Sequence, residues 1–592
     1  MTPRKMGARF QAVVLSSMPA ALFVAACSVA GDQESVGQTQ EAIVGSSNVP
    51  ALSSDYILTT QGAGENTLKV IPSRRNSACQ DGAVVMSLGS SKQLMTRPLF
   101  ENNWATLDTT TNGVPFAFPG VTSQEAMTST DNQIVRMRDG SLLAAHITKT
   151  WAPVSPPPPY ASLPVYYNGA QYQSGTRNEL LLSRSTDCGA TWQRWGSIDS
   201  ALVAGGIYGW PQPYCNPGTG LSCQWTDPAT GLLTFWVGGW DRPEVYADPW
   251  SPWVYVSLDG DGGPYNPSPG NGANYHAGLV LASSTGGTSW QLLGTLPEGT
   301  PFAMTTTPNK RFYAFSCPAG VPTLYYTTDP NNPGTLNGGV SLQTIDPSLP
   351  SCVNGFNGLD INANLQSYTI GRVSKDTFSS VVRIVYPMTN GYGTQSLETA
   401  YVSVSDANPS NPPIVTVATT IDAAGPALNS TVFPTIVEPD YVDTPAGFQT
   451  DRSLLYWLES SGTNGGQPDL SPQFCARFYV LGSGIRNPGP YSLTRSNGTP
   501  VCWSVSPGNG IGDYMTGGFF WDKRRLNFLA QWLETDGAIH ANLVRVSPHA
   551  RTLQQLGLPG DVNGDGMADL VATGYSQGQW VFIKGHRVWT QT

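Results

Sequence analysis

The sequence predicts an all-β chain arranged as a β-propeller, and three observations carry that prediction. Only 12% of the 592 residues are charged, while 64 Gly, 48 Pro, 17 Trp and 24 Tyr suit short strands joined by many turns. From about Leu107 to Ser547 one rhythm recurs: an apolar strand, a Gly or Asp turn, a second strand, then a loop rich in Pro, Asn and Gly. The segment Ser185-Thr186-Asp187-Cys188-Gly189-Ala190-Thr191-Trp192 follows the strand-like Glu179–Arg184 and carries the residues of a tight hairpin. There an Asp can accept turn amides, a Gly permits positive φ and a Trp can close over the apolar face. A partial copy stands at Ser283–Trp290, where Thr285 replaces the Asp.

Taken in chain order, Arg4, Lys5 and Arg9 precede the apolar run Phe10–Ala26, the pattern of an export signal rather than of a membrane span. Residues 28–50 are polar and aperiodic and read as a flexible tether. Residues 51–106 are less regular, either a small cap or strands that close the ring. Residues 107–548 form the propeller. Its clearest hairpins are Ile134–Ala145 with Asp139-Gly140 at the tip, and Leu526–Trp532 with its return Ile539–Val546. Trp253–Gly260 and Leu454–Leu458 are further strands, and no long helical period competes. Uneven blade lengths favour six blades with long inserted loops over seven, with a pair of β-sandwiches as the alternative fold. Residues 549–592 form a short β-module.

The hydrophobic share of 40% is enough for a large core, and the net charge of −10 argues against nucleic acid as a partner. There is no Gly-Xaa-Ser-Xaa-Gly elbow, phosphate loop or dinucleotide fingerprint, and the five His lack ligand spacing. Setting Cys27 aside leaves eight of the nine Cys, an even number that fits an oxidising compartment. Cys215 with Cys223, Cys317 with Cys352, and Cys475 with Cys502 are candidate pairs, which leaves Cys79 and Cys188.

Several of these motifs resemble known families. Val24-Ala25-Ala26-Cys27 resembles the lipobox of bacterial lipoproteins, which implies cleavage before Cys27, its lipidation, and a place in the cell envelope: outer membrane, periplasm or cell surface. Residues 1–27 are then a lipoprotein signal peptide, and the lipid anchor is the only membrane contact expected. The Ser185–Trp192 pattern resembles the Asp-box, or bacterial neuraminidase repeat, of sialidase-like propellers. There Ser185, Asp187, Gly189, Thr191 and Trp192 are structural and remote from the active site. Asp561-Val562-Asn563-Gly564-Asp565-Gly566-Met567-Ala568-Asp569 places oxygen-bearing side chains at alternate positions around a Gly turn, a pattern suited to Ca2+. Ala572 stands where a calcium hand needs its twelfth-position Glu, so that motif is excluded. The run resembles instead the calcium loop of FG-GAP or VCBS repeats, which implies ligation by Asp561, Asn563, Asp565, Asp569 and the Met567 carbonyl.

The sialidase resemblance does not extend to the whole catalytic set. The carboxylate-binding Arg of that family lies about nine residues before the first Asp-Gly tip. Counting back from Asp139-Gly140 reaches Thr130, within Ser129-Thr130-Asp131-Asn132-Gln133, which contains no Arg. Two clusters are the remaining candidates. Trp240-Asp241-Arg242-Pro243-Glu244 places two acids and an Arg beside an aromatic, which suits sugar hydroxyls, acid/base chemistry, or an ion pair that orders a loop. Asp513-Tyr514 resembles the Gly-Asp-Tyr segment of the last blades of related propellers, where an acid activates a phenol nucleophile. Trp151, Tyr166, Tyr167, Tyr208, Trp210 and Tyr214 supply loop aromatics for stacking on sugar rings or for plugging loop cores.

The leading expectation is a monomeric, exported, lipid-anchored propeller that binds glycan or polysaccharide, with Arg242, Trp210 and Trp240 in the binding site. The alternatives are a sialidase-like glycoside hydrolase using Asp241, Glu244, Asp513 and Tyr514, and a protein–protein adhesion scaffold.

Overall fold

An antiparallel strand covered on both faces must be apolar at successive positions rather than alternate ones, and Leu142-Leu143-Ala144-Ala145-His146-Ile147 has that composition. In the computed structural model, Leu142 and Ala144 pack toward one neighbouring sheet, beside Val85. Leu143, Ala145 and Ile147 pack toward the other, beside Val245, Val256 and Leu281. This layered arrangement repeats. Sheets stand side by side, and among the described residues five neighbouring pairs enclose an apolar layer between their faces.

The structure describes residues 50–53, 55–60, 67–71, 83–88, 93–98, 114–117, 125–127, 133–150, 165–167, 170–171, 177–199, 224–226, 233–236, 239–261, 276–297, 303–308, 311–316, 320–327, 336, 339–347, 349, 351, 364–374, 377–388, 398–405, 414–421, 430–437, 448–450, 452–464, 467–481, 491–503, 517–522, 525–534, 537–546, 550–552, 570–573, 580–584 and 587–591.

Among these residues seven antiparallel meanders follow one another along the chain. Blade I is Thr67–Ile71, Ala83–Leu88, Gln93–Pro98 and Val114–Ala117. Blade II is Gln133–Arg136, Leu142–Thr150, Arg177–Ser185 and Gln193–Asp199, with Glu125–Met127 also on its second strand. Blade III is Gly239–Ala247, Val254–Asp261, His276–Ser283 and Gln291–Pro297. Blade IV is Ala303–Thr306, Phe312–Ser316, Thr323–Thr327 and Val340–Ser341. Blade V is Asn364–Ser374, Thr377–Met388, Glu398–Ser405 and Ile414–Ile421. Blade VI is Ser430–Val437, Ser453–Asn464 and Gln467–Leu481, completed by Tyr491–Ser492 and Cys502–Trp503. Blade VII is Gly517–Asp522, Arg525–Leu533 and Ile539–Val546.

The first strand of each blade touches the first strand of the next, and that of blade VII touches that of blade I. The seven therefore close a ring. Blade VII takes its outer edge from the opposite end of the chain, because Ala51–Leu52 and Tyr56–Thr59 pair antiparallel with Ile539–Val546. The Ser53 amide donates to the Leu543 carbonyl at 2.9 Å, and the Leu543 amide donates to Ser53 Oγ at 2.9 Å. Closure of this kind covers an edge that would otherwise pair with another chain.

The expected six blades are thus corrected to seven, and the paired β-sandwich alternative falls with them. The ring begins upstream of residue 107, since Thr67–Ala117 forms a complete blade. Its strands hide it in the sequence: Lys69 interrupts Thr67–Ile71 and Thr96-Arg97 interrupts Gln93–Pro98, so the apolar pattern is weak. Leu68, Val84 and Met86 are nevertheless buried against Leu529, Ala541 and Leu543 of blade VII.

Three smaller sheets lie outside the ring. Val165–Tyr167, Ala170–Gln171, Gln224–Thr226 and Leu233–Trp236 form one, with Val165–Tyr167 parallel to Leu233–Trp236. Phe448–Thr450 pairs with Ala550–Thr552, and Leu570–Thr573, Trp580–Lys584 and Arg587–Gln591 form a three-stranded meander. Among the described residues helix is limited to the single turn Leu342–Ile345, and no helix is long and apolar enough to cross a membrane. Cys475 and Cys502 face each other across blade VI and form a disulfide with a Cα–Cα distance of 4.1 Å, the pairing expected from the sequence. Cys188 is also disulfide-bonded; Cys79 and the other two candidate pairs lie outside the described residues.

Candidate functional site

The hairpin at Ser185–Trp192 joins the third and fourth strands of blade II, and each of its marker residues has a visible task. Asp187 Oδ1 accepts the Thr191 amide at 2.8 Å and the Ser185 hydroxyl at 2.8 Å, while Oδ2 accepts the Thr191 hydroxyl. Ser185 Oγ accepts the Gly189 amide at 2.8 Å, and Trp192 Nε1 donates to the Gly189 carbonyl at 3.0 Å. Cys188 and Gly189 take φ of 64° and 83°, the left-handed region that favours Gly. Burial acts to raise the Asp187 carboxyl, but the bonds from Thr191 and Ser185 outweigh it and hold the carboxyl below the usual carboxylate range. Asp187 is fully occupied within its own turn, so its role is to fold the hairpin.

The partial copy at Ser283–Trp290 occupies the same place in blade III and keeps the two amide bonds of the turn with a weaker acceptor, but not the indole bond, since Trp290 Nε1 is buried without a hydrogen-bond partner among the described residues. Thr285 Oγ1 accepts the Ser289 amide at 2.9 Å, as Asp187 accepts that of Thr191, and Ser283 Oγ accepts the Gly287 amide at 2.8 Å. Its tip is an inter-blade contact: Trp195 Nε1 of blade II donates to the Gly286 carbonyl at 2.7 Å.

At the other end of the blades stands the cluster predicted from sequence. The first strand of blade III starts with Gly239-Trp240-Asp241-Arg242-Pro243-Glu244 and runs toward the turn Asp248–Trp253. Its start therefore lies at the face opposite the two Asp-box-type turns. The register places Asp241 directly across from Asp259 and Glu244 across from Ser257, with a bulge between them that contains Arg242 and Pro243. Asp241 and Asp259 are thus register partners on neighbouring strands, and Arg242 follows Asp241 at the bulge. The sequence reading missed Asp259 because the pair exists only in the register.

The aromatic-rich outer sheet leads into the same strand. Leu233–Trp236 ends three residues before Gly239, and its partners carry Tyr166 opposite Trp236 and Trp225 opposite Thr234. A gap that short spans about 10 Å at most. Tyr166, Tyr167, Trp225 and Trp236 are therefore tethered near Trp240 and Asp241. Trp210, Asp513, Tyr514, Cys27 and the loop Asp561, Asn563, Asp565, Met567 and Asp569 lie outside the described residues. So does Thr130. Among the described residues no group of three or more His, Cys, Asp or Glu side chains is placed to hold a metal ion. His146 and His540 are buried in blade interiors.

One buried acid joins blade III to blade IV. Asp248 is 2% exposed and accepts the Trp250 amide at 2.9 Å and the Thr306 hydroxyl at 2.6 Å, with a further bond from Ser251 Oγ. Burial outweighs these bonds and raises its carboxyl above the usual range.

No protein-family model matches the chain, and no curated protein sequence matches it. Solved structures similar to it include a sialidase from Trypanosoma rangeli, at 9% identity and a TM-score of 0.28 over 70% of this chain and 54% of that one. They also include Sqt1 from Saccharomyces cerevisiae, at 9% identity and a TM-score of 0.33 over 89% of this chain and 96% of that one. A levansucrase complexed with sucrose matches at 8% identity and a TM-score of 0.26, over 58% of this chain and 82% of that one. The chain spans a little over half, 54%, of the sialidase chain. At these identities and scores the likenesses bear on neither ligand nor chemistry. The class defined by the molecule's own sheets is an all-β propeller.

Proposed function

We propose that the chain is an exported, lipid-anchored protein of the cell envelope whose propeller binds glycan or polysaccharide at the face opposite the Asp-box turns. One observation supports this most: the outer sheet bearing Tyr166, Tyr167, Trp225 and Trp236 runs within three residues into the strand bearing Trp240, Asp241, Arg242 and Glu244. Aromatic faces stack on the C–H faces of sugar rings, and acids and Arg bond their hydroxyls. The disulfide Cys475–Cys502 accords with an oxidising compartment. Incubation of the full-length chain with a mixed glycan library, bound sugars being read by mass spectrometry, tests the reading. Retention reduced tenfold or more by Trp240→Ala or Arg242→Gln is expected; retention of no glycan at all overturns it.

A second reading, a glycoside hydrolase, draws on the Asp241–Asp259 register pair, since such enzymes work through two carboxyl groups flanking the scissile bond. In the same experiment it requires newly cleaved sugars, lost in both Asp241→Asn and Asp259→Asn. Asp513 and Tyr514 belong to this reading as a further acid and nucleophile.

The Ca2+ assignment to Asp561, Asn563, Asp565, Asp569 and the Met567 carbonyl is part of the proposal, and a closed oxygen cage there would be structural. Chelation should lower the melting temperature; an unchanged melt removes it. Lipidation is read from the mass of the amino-terminal peptide starting at Cys27, and Cys27→Ala should release the protein from the membrane fraction.

A further inference from the structure

Three turns at the Asp-box end of the molecule surround a cavity of about 480 Å3 between blades II and III, within the range of small-molecule sites. They are the first turn of blade II (Met137–Ser141), the first turn of blade III (Asp248–Trp253) and the partial Asp-box of blade III (Ser283–Trp290). The walls are fixed by contacts already complete. Arg184 Nε donates to Ser141 Oγ at 3.0 Å, its Nη2 donates to Asp139 Oδ2, and its guanidinium lies 4.3 Å from the centre of the Trp195 ring. Asp139 Oδ1 accepts the Ser141 amide at 2.9 Å and hydroxyl at 2.6 Å. Burial alone would raise the Asp139 carboxyl, but these bonds and Arg184 hold it below the usual range, so it is ionised at neutral pH. Gly286 has φ +68°, and a Cβ there would come within 3.0 Å of Met137 Cε.

Arg138 differs from Arg184. It is exposed, and its one hydrogen bond among the described residues runs from Nη1 to the Trp250 carbonyl at 3.1 Å. A guanidinium carries five N–H donors, so most of its fork is open to a ligand. Asp248 behind the turn accepts hydrogen bonds from Trp250, Ser251 and Thr306 and attracts Arg138 electrostatically without a hydrogen bond to it. Beside this cation, Trp253, Pro252 and Met137 supply an apolar wall, and Ser284 adds an exposed hydroxyl.

We propose that this cavity is a binding site for a sugar ring bearing an anionic group, carboxylate or sulfate. The C–H face of the ring rests on Trp253, Arg138 takes the anion through paired N–H bonds, and Asp139 accepts ring hydroxyls. The site lies at the opposite end of the blades from Trp240–Glu244, so variants of the two regions separate.

Calorimetric titration of the full-length chain with trigalacturonate, a sulfated galactotriose and neutral galactotriose tests it. One charged probe should bind at least tenfold more tightly than the neutral one, and its identity names the anion. Arg138→Gln should remove that difference, Ser284→Glu should weaken the charged probe about tenfold by repulsion, and Asp241→Asn should leave the charged-over-neutral preference in place. Charged probes that bind no better than galactotriose overturn the proposal, as does a charged-over-neutral preference that survives both groove variants or disappears in Asp241→Asn.

Discussion

Asp187 and Asp248 are both turn acids with full sets of partners, yet they respond oppositely to pH because they differ in burial. Asp187 sits near water, and its hydrogen bonds prevail. Removing its side chain in Asp187→Ala leaves the Thr191 amide and the Ser185 hydroxyl to solvent, at a cost of about 1–2 kcal/mol read from the denaturant midpoint. Asp248 is deep between blades, where desolvation prevails and its folded-state carboxyl titrates above the unfolded value. The folded protein then holds that proton more tightly than the unfolded chain, so its contribution is fully present below the unfolded carboxylate pKa. That contribution is lost as pH rises through the higher, folded-state value. The amide of Asp248→Asn cannot ionise, so comparing denaturation of the two proteins across pH 3–7 should show a stability difference that moves in favour of the variant as pH rises. A pH-independent difference would show that Asp248 ionises in the fold as readily as in water.

The blade interfaces rest on backbone close to backbone. A Cβ on Gly196 would lie 2.4 Å from the Gly287 carbonyl oxygen, a backbone atom that cannot swing aside. Gly196→Ala must therefore part blades II and III or displace the turn Ser283–Trp290, and a loss of about 2–3 kcal/mol is expected from thermal or denaturant unfolding. The neighbouring turn offers the converse experiment. Thr285 already accepts the Ser289 amide, so Thr285→Asp restores a charged acceptor to a site built for one and should add about 1 kcal/mol in the same assay. An unchanged or lower midpoint would show that the turn has settled around the hydroxyl.

Closure ties the whole ring to a few residues near its amino-terminal side. Tyr56 and Leu58 are buried against blades I and VII, and Asp55 accepts the Ser496 amide of blade VI. If the ring unfolds as one unit, a defect at this seam weakens distant blades as well. Leu58→Ala should cost about 2–4 kcal/mol, and hydrogen exchange should speed in Phe312–Ser316 of blade IV as well as in Ile539–Val546. Faster exchange confined to Ile539–Val546 would mean that the seam opens locally.

Strand and turn chemistry made much of this molecule readable in advance. Period-two and continuous apolar runs, Asp-Gly tips and the box at Ser185–Trp192 declare blades because each is a local property of a few consecutive residues. Cys475 and Cys502, 27 residues apart, were one of several candidate pairs, and strand pairing in blade VI brings them together. What could not be read is what long-range pairing creates. Blade I has weak strands that become recognisable only when Leu68, Val84 and Met86 meet blade VII. The joining of residues 51–59 to 539–546 leaves no trace in either segment. Asp241 finds Asp259 through register, and Arg138, Trp253 and Ser284 meet across a groove assembled from three separate turns. Local sequence governs which strands and turns form, whereas neighbours in space, set by ring closure, govern which side chains share a site.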